Sequence, residues 1–286
     1  MHRSMLWGLL VLSDFLLLAL SAQAQGQSTS ESATAVPFDL VSDFLVVAEG
    51  GIESLDGLKF IVDTGSTWSA IDQKVAEKLR LNRQAGKMMN FDRYIPIEWA
   101  DVTNIRIGPI SAERARVMVM NLAKYSQFAK NVDGIIGLDL LSRSQTFGID
   151  YTAKTLYFGP PEHSSHRSNP GGFLATIVVQ GRPVRLCVDT GSPDILLYEN
   201  RLRKRLVNLR TEGEPITITM GRIKGTKIHL PEVSITGPKQ VITVVLIDGP
   251  EDSTMPGVDG YLGLASLHPK GIDINFAEMV LAVWWQ

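Results

Sequence analysis

Two short motifs in the sequence combine the residue types that acid–base hydrolysis requires. The sequence Asp-Thr-Gly-Ser occupies residues 63–66 and recurs 126 residues later at residues 189–192. If the two aspartates face each other at about 3 Å, they cannot both be ionised and must share one proton. The ionised member can then activate a water molecule while the protonated member donates to a carbonyl oxygen. The motifs therefore predict hydrolysis at a two-carboxyl site.

The other residues of each motif are suited to holding a carboxylate in place. These supporting residues are Thr64, Gly65, Ser66, Thr190, Gly191 and Ser192. The glycines permit a tight turn and let a backbone N–H approach a carboxylate closely. We expect each serine hydroxyl to donate to the outer oxygen of its aspartate and each threonine to reach the opposite loop. Because such hydrogen bonds favour the anion that shares one proton, we expect an acidic pH optimum.

The repeated motif is part of a larger internal duplication. A second motif occupies residues 132–138 and recurs at residues 258–264. It consists of Val-Asp-Gly, two residues that differ between the copies, and then Gly-Leu. The tripeptide Gly-Ile-Asp occurs at residues 148–150 and again at residues 271–273. Several matched elements in the same order indicate that the chain consists of two copies of one structural unit.

Each copy has the pattern of a β-rich lobe. Alternating apolar strands precede each Asp-Thr-Gly-Ser, and a short amphipathic helix is predicted after it, at residues 73–81 and 199–209. A segment rich in Pro, Ser and Gly at residues 160–172 is typical of a linker. We therefore predict an all-β protein with an N-terminal lobe at residues 36–159 and a C-terminal lobe at residues 173–286.

The N-terminal residues resemble an export signal rather than part of the fold. Residues 1–24 have a short positive start, an apolar segment and an Ala-x-Ala cleavage site at residues 22–24. A polar stretch at residues 25–35 is interpreted as a flexible tether. We expect a periplasmic or extracellular protein without stable membrane insertion after cleavage. The alternative is an uncleaved membrane anchor, although the apolar run is short and contains Asp14.

The doubled motif resembles the active-site signature of the aspartic peptidases. Each copy is followed about 70 residues later by a turn that ends in glycine, at Gly137 and Gly263. The short lobes resemble retropepsin-type units, here fused in one chain as in pepsin-like enzymes. The resemblance implies two β-barrel-like lobes of the aspartic peptidase fold with the active site between them. It also implies that Asp63 and Asp189 are the catalytic pair, that the two threonines grip across the lobes, and that both glycines close loops behind the aspartates.

Two segments are candidate flaps that would cover a bound substrate. They lie between the predicted helix and the next strand of each lobe, at residues 83–99 and 211–227. In the first segment Tyr94 and Trp99 are candidate substrate contacts, and ordinary packing of the two aromatic rings is the alternative.

Composition and charge narrow the choice of partners. A net charge of −2 gives no electrostatic basis for binding nucleic acid. The single cysteine excludes an intramolecular disulfide framework and a Cys-rich zinc site. The five histidines do not have the spacing of metal ligands, so neither a metal nor another cofactor is predicted. The expected partner is a peptide or protein substrate.

Two alternatives to an active single-chain enzyme are compatible with such a fold. The chain could be a catalytically silent, peptide-binding envelope protein, because a fold alone does not fix a function. The intact pair of motifs favours an active endopeptidase. The chain could also require a second copy, as retropepsin-type units often dimerise. The internal duplication instead predicts a monomer that acts as an internal pseudo-dimer.

Overall fold

The structure is a computed structural model that describes most of the chain after the N-terminal segment. The described residues are 34–90, 93–125, 131–159, 173–206, 214–218, 223–235, 240–250 and 255–284. They all belong to one compact unit, Ser32–Gln286. The predicted signal peptide, most of the predicted tether and the predicted linker lie outside the described residues.

The first half of the chain forms strands joined by short turns and short helices. Its strands are β1 (Thr34–Val41), β2 (Leu45–Ile52), β3 (Leu55–Val62), β4 (Ala70–Asp72), β5 (Arg83–Asn90), β6 (Arg93–Ile107), β7 (Ile110–Met120), β8 (Gly134–Ile136), β9 (Thr146–Asp150) and β10 (Thr155–Phe158). Its helices are α1 (Gln73–Lys78), α2 (Leu122–Tyr125) and α3 (Leu138–Leu141). The last two residues of the predicted tether therefore lie in β1.

The second half repeats much of this order. Its strands are β11 (Leu174–Val179), β12 (Arg182–Asp189), β13 (Leu196–Tyr198), β14 (Glu214–Ile218), β15 (Ile223–Ser234), β16 (Gln240–Ile247), β17 (Gly260–Gly263), β18 (Gly271–Asn275) and β19 (Val280–Trp284). Helix α4 (Glu199–Leu202) follows β13, and a 3-10 turn (Ala265–Leu267) follows β17. Among the described residues, no helix has both the length and the apolar character needed to cross a membrane.

Each half builds a sheet with the same internal pairing. The order of the first sheet is β19-β18-β9-β10-β1-β2-β3-β8-β4-β7-β6-β5, and that of the second is β11-β12-β17-β13-β16-β15-β14. β3 pairs in parallel with β8 and β4 with β7, and likewise β12 pairs with β17 and β13 with β16. The predicted all-β fold with two lobes is confirmed.

The last strands of the second half join the sheet of the first half. β18 pairs with β9 in antiparallel register, so that Ile272 lies opposite Ile149. Both isoleucine side chains are fully buried. Since β19 pairs with β18, both C-terminal strands are hydrogen-bonded into the first sheet. Backbone hydrogen bonds and a shared apolar core therefore hold the two lobes together.

The two strands that lead into the Asp-Thr-Gly-Ser turns are deeply buried. β3 ends directly before Asp63, and β12 ends at Asp189. The last three residues of β3 and the last four of β12 are all buried. Consecutive buried residues show that these strand ends are covered on both faces, which fixes the direction in which each aspartate leaves its sheet.

The aspartate of the Val-Asp-Gly motif has the same structural role in both halves. Asp133 Oδ2 accepts from the Lys59 N–H at 2.9 Å, and Asp259 Oδ2 accepts from the Arg185 N–H at 3.0 Å. Asp259 also forms an ion pair with Arg205 at 2.6 Å. These side chains tie the segment before each short parallel strand to the strand that carries a motif.

The helices are shorter than the sequence pattern predicted. α1 begins after Asp72, whose carboxylate caps it by accepting from the Lys74 N–H at 3.0 Å. It ends before Leu79, and Arg80 follows with a left-handed φ of 52°. That backbone conformation cannot continue a right-handed helix, so the predicted end at residue 81 is wrong. In the second half, residues 207–209 of the predicted helix lie outside the described residues.

Candidate active site

Both motif aspartates lie at the ends of buried parallel strands. The Asp63 N–H donates to the carbonyl oxygen of Ile136 at 3.0 Å, and Asp189 pairs with Gly263 on β17. Each aspartate is only 5% exposed. The short strands β8 and β17, which belong to the second repeated motif, therefore hold the two carboxyl groups in position.

The two carboxyl groups lie side by side, each between its own motif glycine and that of the opposite lobe. Gly65 donates its N–H to Asp63 Oδ1 at 2.8 Å, and Gly191 does the same for Asp189 Oδ1 at 2.8 Å. Each glycine also lies against the opposite aspartate. A Cβ atom added at Gly65 would lie 2.6 Å from Asp189 Oδ1, and one at Gly191 would lie 2.9 Å from Asp63 Oδ1. Only glycine leaves room for this approach.

The two threonines form a reciprocal set of hydrogen bonds between the lobes. The Thr64 N–H donates to Thr190 Oγ1 at 3.0 Å, and the Thr190 N–H donates to Thr64 Oγ1 at 3.1 Å. Each hydroxyl donates onward to the opposite strand, Thr64 to the Val188 carbonyl and Thr190 to the Val62 carbonyl, both at 2.8 Å. This is the cross-lobe contact that the sequence predicted, and it sets the separation of the aspartates.

The two serines differ from the expectation. The Ser66 hydroxyl donates to the Trp68 carbonyl at 2.7 Å, and the Ser192 hydroxyl donates to the Asp194 carbonyl at 2.9 Å. A hydroxyl has a single proton, so neither serine side chain donates to an aspartate here. The Ser66 N–H donates to the backbone carbonyl of Asp63 at 3.4 Å. The hydroxyls close the turns that present the carboxyl groups.

The glycines of the two later turns pack directly behind the aspartate loops. A Cβ atom added at Gly137 would lie 2.8 Å from the Ser66 carbonyl oxygen, and one at Gly263 would lie 2.8 Å from the Ser192 carbonyl oxygen. The Leu138 N–H donates to the Ser66 carbonyl at 2.9 Å. The structure thus brings all ten predicted residues of the aspartate site together around one point between the lobes.

Burial dominates the ionisation of the pair. It raises the pKa of Asp63, and it raises the pKa of Asp189 well above its ordinary value, with the nearby charge of Asp63 adding to the effect. Hydrogen bonds from backbone N–H groups act in the opposite direction but are smaller causes. The pair therefore keeps a shared proton more readily than two exposed carboxyl groups.

The sequence reasoning missed a second polar pair behind the first aspartate. Asp139 Oδ1 accepts from the Ser69 hydroxyl at 2.7 Å and from the Ser69 N–H at 2.9 Å, while the Gly137 N–H donates to Ser69 Oγ at 3.0 Å. Burial raises the pKa of Asp139 to about 6. The corresponding positions of the second half are Ile195 and Ala265. This difference between two otherwise matched halves is the sequence feature that could have revealed the Ser69–Asp139 pair.

The two candidate aromatic residues lie on opposite faces of a β-hairpin formed by β5 and β6. Trp99 pairs with Gln84, and Tyr94 pairs with Met89. An odd number of residues separates the two aromatic residues along β6, so their side chains point to opposite faces. Tyr94 is 60% exposed, and Lys87 lies over its ring at 5.8 Å. Trp99 packs edge to face against the ring of Trp68, with 5.7 Å between the ring centres. Trp99 thus contacts the loop that carries Asp63.

The second candidate flap is also a hairpin, formed by β14 and β15. Its turn, residues 219–222, lies outside the described residues. Among the residues that the structure describes, no cluster of histidine, cysteine and acidic side chains could hold a metal ion.

Known proteins share both the sequence family of the first lobe and the fold of the chain. Residues 49–143 match the family model of the gag-polyprotein putative aspartyl protease. The crystal structure of an aspartic proteinase from Irpex lacteus is 14% identical with a TM-score of 0.50, and the match covers 89% of this chain and 98% of that chain. The chain therefore has the aspartic peptidase fold, and its first lobe carries the sequence pattern of the gag-polyprotein putative aspartyl protease. The resemblance recognised from the sequence is confirmed for the fold and for the sequence pattern of the first lobe.

Two further solved structures were matched with lower similarity. Basic 7S globulin from soybean is 11% identical with a TM-score of 0.45, covering 88% of this chain and 94% of that chain. A retropepsin-like aspartic protease from Rickettsia conorii is 17% identical with a TM-score of 0.34, covering 44% of this chain and 89% of that chain. No curated protein matches the chain.

The raised pKa values predict how stability depends on pH. The folded protein binds the shared proton more tightly than the unfolded chain does, where an aspartate has a pKa of about 3.9. The stabilising effect is complete below that pH and is lost as pH rises through the folded-state pKa values. The substitution Asp189→Asn removes one buried charge. We expect it to raise the melting temperature at pH 7 by at least about 2 °C, with a smaller difference at pH 4.

Thermal unfolding of both proteins at several pH values measures this effect. Asp101→Asn is the control, because Asp101 is an exposed carboxyl group on β6. A difference that shrinks with rising pH would contradict the assignment of a buried charged pair.

The contact between Ser69 and Asp139 predicts a cost for its removal. Asp139→Ala leaves the Ser69 N–H without its acceptor, so we expect a loss of about 1–3 kcal/mol in the free energy of unfolding. Asp139→Asn retains a carbonyl acceptor and should lose less. Urea denaturation at pH 7 measures both values, with Asp101→Ala as the exposed control. Equal losses for the alanine and asparagine variants would show that this acceptor does not stabilise the loop.

Proposed function

We propose that this protein is an aspartic endopeptidase that hydrolyses peptide bonds with water activated between Asp63 and Asp189. The observation that carries the proposal is that two buried carboxyl groups, one from each lobe, lie side by side, each packed against the motif glycine of the opposite lobe. A purely structural acid needs no such partner, since burying two like charges side by side opposes folding. Their retention is consistent with a catalytic use of the shared proton.

The chemistry requires one proton on the pair. The ionised carboxylate removes a proton from a water molecule, whose oxygen attacks the carbonyl carbon of the scissile peptide bond. The other carboxyl group donates its proton to the carbonyl oxygen, which gives a neutral tetrahedral diol. The diol then returns a hydroxyl proton to one aspartate, and the amide nitrogen takes a proton from the pair as the C–N bond breaks. The products are a carboxylic acid and an amine, and the pair again holds one proton.

The surrounding residues hold the geometry that this sequence needs. Thr64 and Thr190 fix the distance between the lobes through four hydrogen bonds of 2.8–3.1 Å. Gly65 and Gly191 orient the carboxyl groups through their N–H groups, both at 2.8 Å. Because these contacts exist before substrate binds, the reacting groups are preorganised and little reorganisation is needed during the reaction.

A single chain supplies both aspartates and the complete cross-lobe contact. We infer that the protein acts as a monomer with an internal pseudo-twofold arrangement. Its substrate is a peptide or protein whose main chain passes between the lobes beneath the β5–β6 hairpin.

Cleavage of a mixed peptide library at pH 3 to 7 tests the proposed function. We expect cutting at acidic pH that decreases towards neutrality, because the pair loses its shared proton as pH rises. Asp63→Asn and Asp189→Asn should each reduce the rate by about 10³-fold, within the range typical of acid–base catalysis. Asp101→Asn should keep full activity.

Two outcomes would contradict the proposal. A folded wild-type protein that cuts no peptide at any pH favours the catalytically silent, peptide-binding function. Activity that disappears on dilution, together with a dimer in sedimentation, excludes the monomer. Thermal unfolding of every variant verifies that it is folded.

We also propose that the protein is exported to the periplasm or to the extracellular space. Support comes from the charged start, the apolar run and the Ala-x-Ala site within residues 1–24. Expression of the full chain in a bacterium should give a mature protein that starts near Gln25, as determined by N-terminal sequencing of the periplasmic fraction. An intact N-terminus in the membrane fraction would favour the anchored alternative.

A further inference from the structure

The two aspartate loops have the same backbone path but carry different side chains at one position. Trp68 and Asp194 each lie five residues after their catalytic aspartate. The carbonyl of each accepts from the serine hydroxyl of its own loop, at 2.7 Å for Trp68 and 2.9 Å for Asp194. Each carbonyl also lies against the glycine of the turn behind its loop. The two positions are therefore equivalent under the internal duplication.

Trp68 begins an apolar surface beside the aspartate pair. Its side chain is 44% exposed, one of the few large apolar side chains left open in the described structure. Its ring meets the ring of Trp99 at an interplanar angle of 85°. Gly86 makes room for this second ring, since a Cβ atom there would lie 2.5 Å from Trp99 Nε1. The guanidinium of Arg116 lies 5.6 Å from the Trp99 ring centre and holds that ring in place.

The apolar surface continues from this pair along one face of the hairpin. Met88 and Ile95 lie opposite each other in the hairpin register, on the same face as Trp99. All three pack against a buried cluster that includes Ile135. Ile135 directly precedes Ile136, whose carbonyl accepts from the Asp63 N–H. The surface thus connects the catalytic loop with the face of the hairpin that carries Trp99.

The equivalent place in the second lobe is charged. In the part of the chain that the structure describes, the Asp194 carboxylate has no ion pair and accepts no hydrogen bond. Lys227 occupies the position equivalent to Trp99. Trp99 pairs with Met118, which in turn pairs with Ala70. Lys227 likewise pairs with Val245, which pairs with Leu196, the counterpart of Ala70 in the duplication. Lys227 does not reach Asp194 in an ion pair within these residues. The carboxylate is therefore available to a cation from a bound peptide.

We propose that Trp68 and Asp194 determine substrate specificity, Trp68 by binding a bulky apolar side chain and Asp194 by binding a basic side chain on the other side of the scissile bond. This inference rests on the proposed function. Two identical half-sites would accept a peptide in either chain direction, because the aspartate pair itself is symmetric. An aromatic contact on one side and an ionic contact on the other favour a single direction. The substrate class is a peptide with an apolar and a basic residue flanking the cut.

Peptides that bind but cannot be cut test the inference without relying on cleavage. The probes are octapeptides in which a CH2–NH group replaces the central amide bond. Each probe has alanine elsewhere and two test residues, one on each side of that bond and one to three residues from it. Mixed probes carry Phe on one side and Arg on the other, and matched probes carry Phe on both sides or Arg on both sides. Calorimetry at pH 5 measures their affinities. For wild type we expect the mixed probes to bind about tenfold more tightly than the matched probes.

Variants then assign the preference to the two residues. Trp68→Asp should shift the preference to the probes with Arg on both sides, and Asp194→Trp should shift it to the probes with Phe on both sides. Trp68→Ala and Asp194→Asn are milder, and each should reduce the ratio between mixed and matched probes to about threefold or less. Val241→Ala is the control, because Val241 is 68% exposed on β16 and should leave the ratio unchanged.

The possible outcomes separate the two proposals. Equal affinity for the mixed and the matched probes, or a ratio that neither milder variant changes in the folded protein, overturns the inference. A wild type that cuts peptides but does not prefer the mixed probes overturns the inference alone. A wild type that prefers the mixed probes but cuts nothing supports the inference and overturns the proposed catalytic function. The absence of binding by any probe overturns the inference, and cleavage of the peptide library then decides the proposed function by itself.

Discussion

The structure depends on the placement of two carboxyl groups side by side in a buried position. Burial and mutual repulsion both oppose this arrangement, so the fold must supply compensating hydrogen bonds and must leave a proton on the pair. Gly65 and Gly191 supply N–H donors at 2.8 Å and also the space that the opposite carboxyl group occupies. Any side chain at either position would force the carboxyl groups apart.

The internal duplication explains how a single chain builds such a site. Each lobe places its aspartate at the end of a strand that is buried on both faces, and each supports it with a short parallel strand and a glycine turn. Thr64 and Thr190 then join the lobes through two reciprocal hydrogen bonds, in which the N–H of each threonine donates to the hydroxyl oxygen of the other. The C-terminal strands β18 and β19 lie in the sheet of the first half and hold the lobes at this separation.

The halves have diverged where symmetry is not needed by the aspartate pair. Ser69 and Asp139 brace the first loop with polar contacts, whereas Ile195 and Ala265 occupy the matching places in the second. Trp68 and Asp194 differ in the same way at the edge of the site. A duplicated site that keeps its symmetric centre and loses symmetry at its margins can perform one chemistry while it distinguishes the two ends of a substrate.

The sequence by itself determined the all-β class, the duplication, and the residues that meet at the aspartate pair, because a repeated motif requires both copies to fold alike. It also predicted the threonine contact between the lobes. Only the tertiary structure decided where the serine hydroxyls donate, that Tyr94 and Trp99 lie on opposite faces of a hairpin, and that Ser69 binds Asp139. The serine bonds depend on the exact path of each turn, and the bond between Ser69 and Asp139 joins side chains 70 residues apart in sequence. Tyr94 and Trp99 point to opposite faces because an odd number of residues separates them on one strand, but only the pairing of that strand decides which face meets the loop of Asp63.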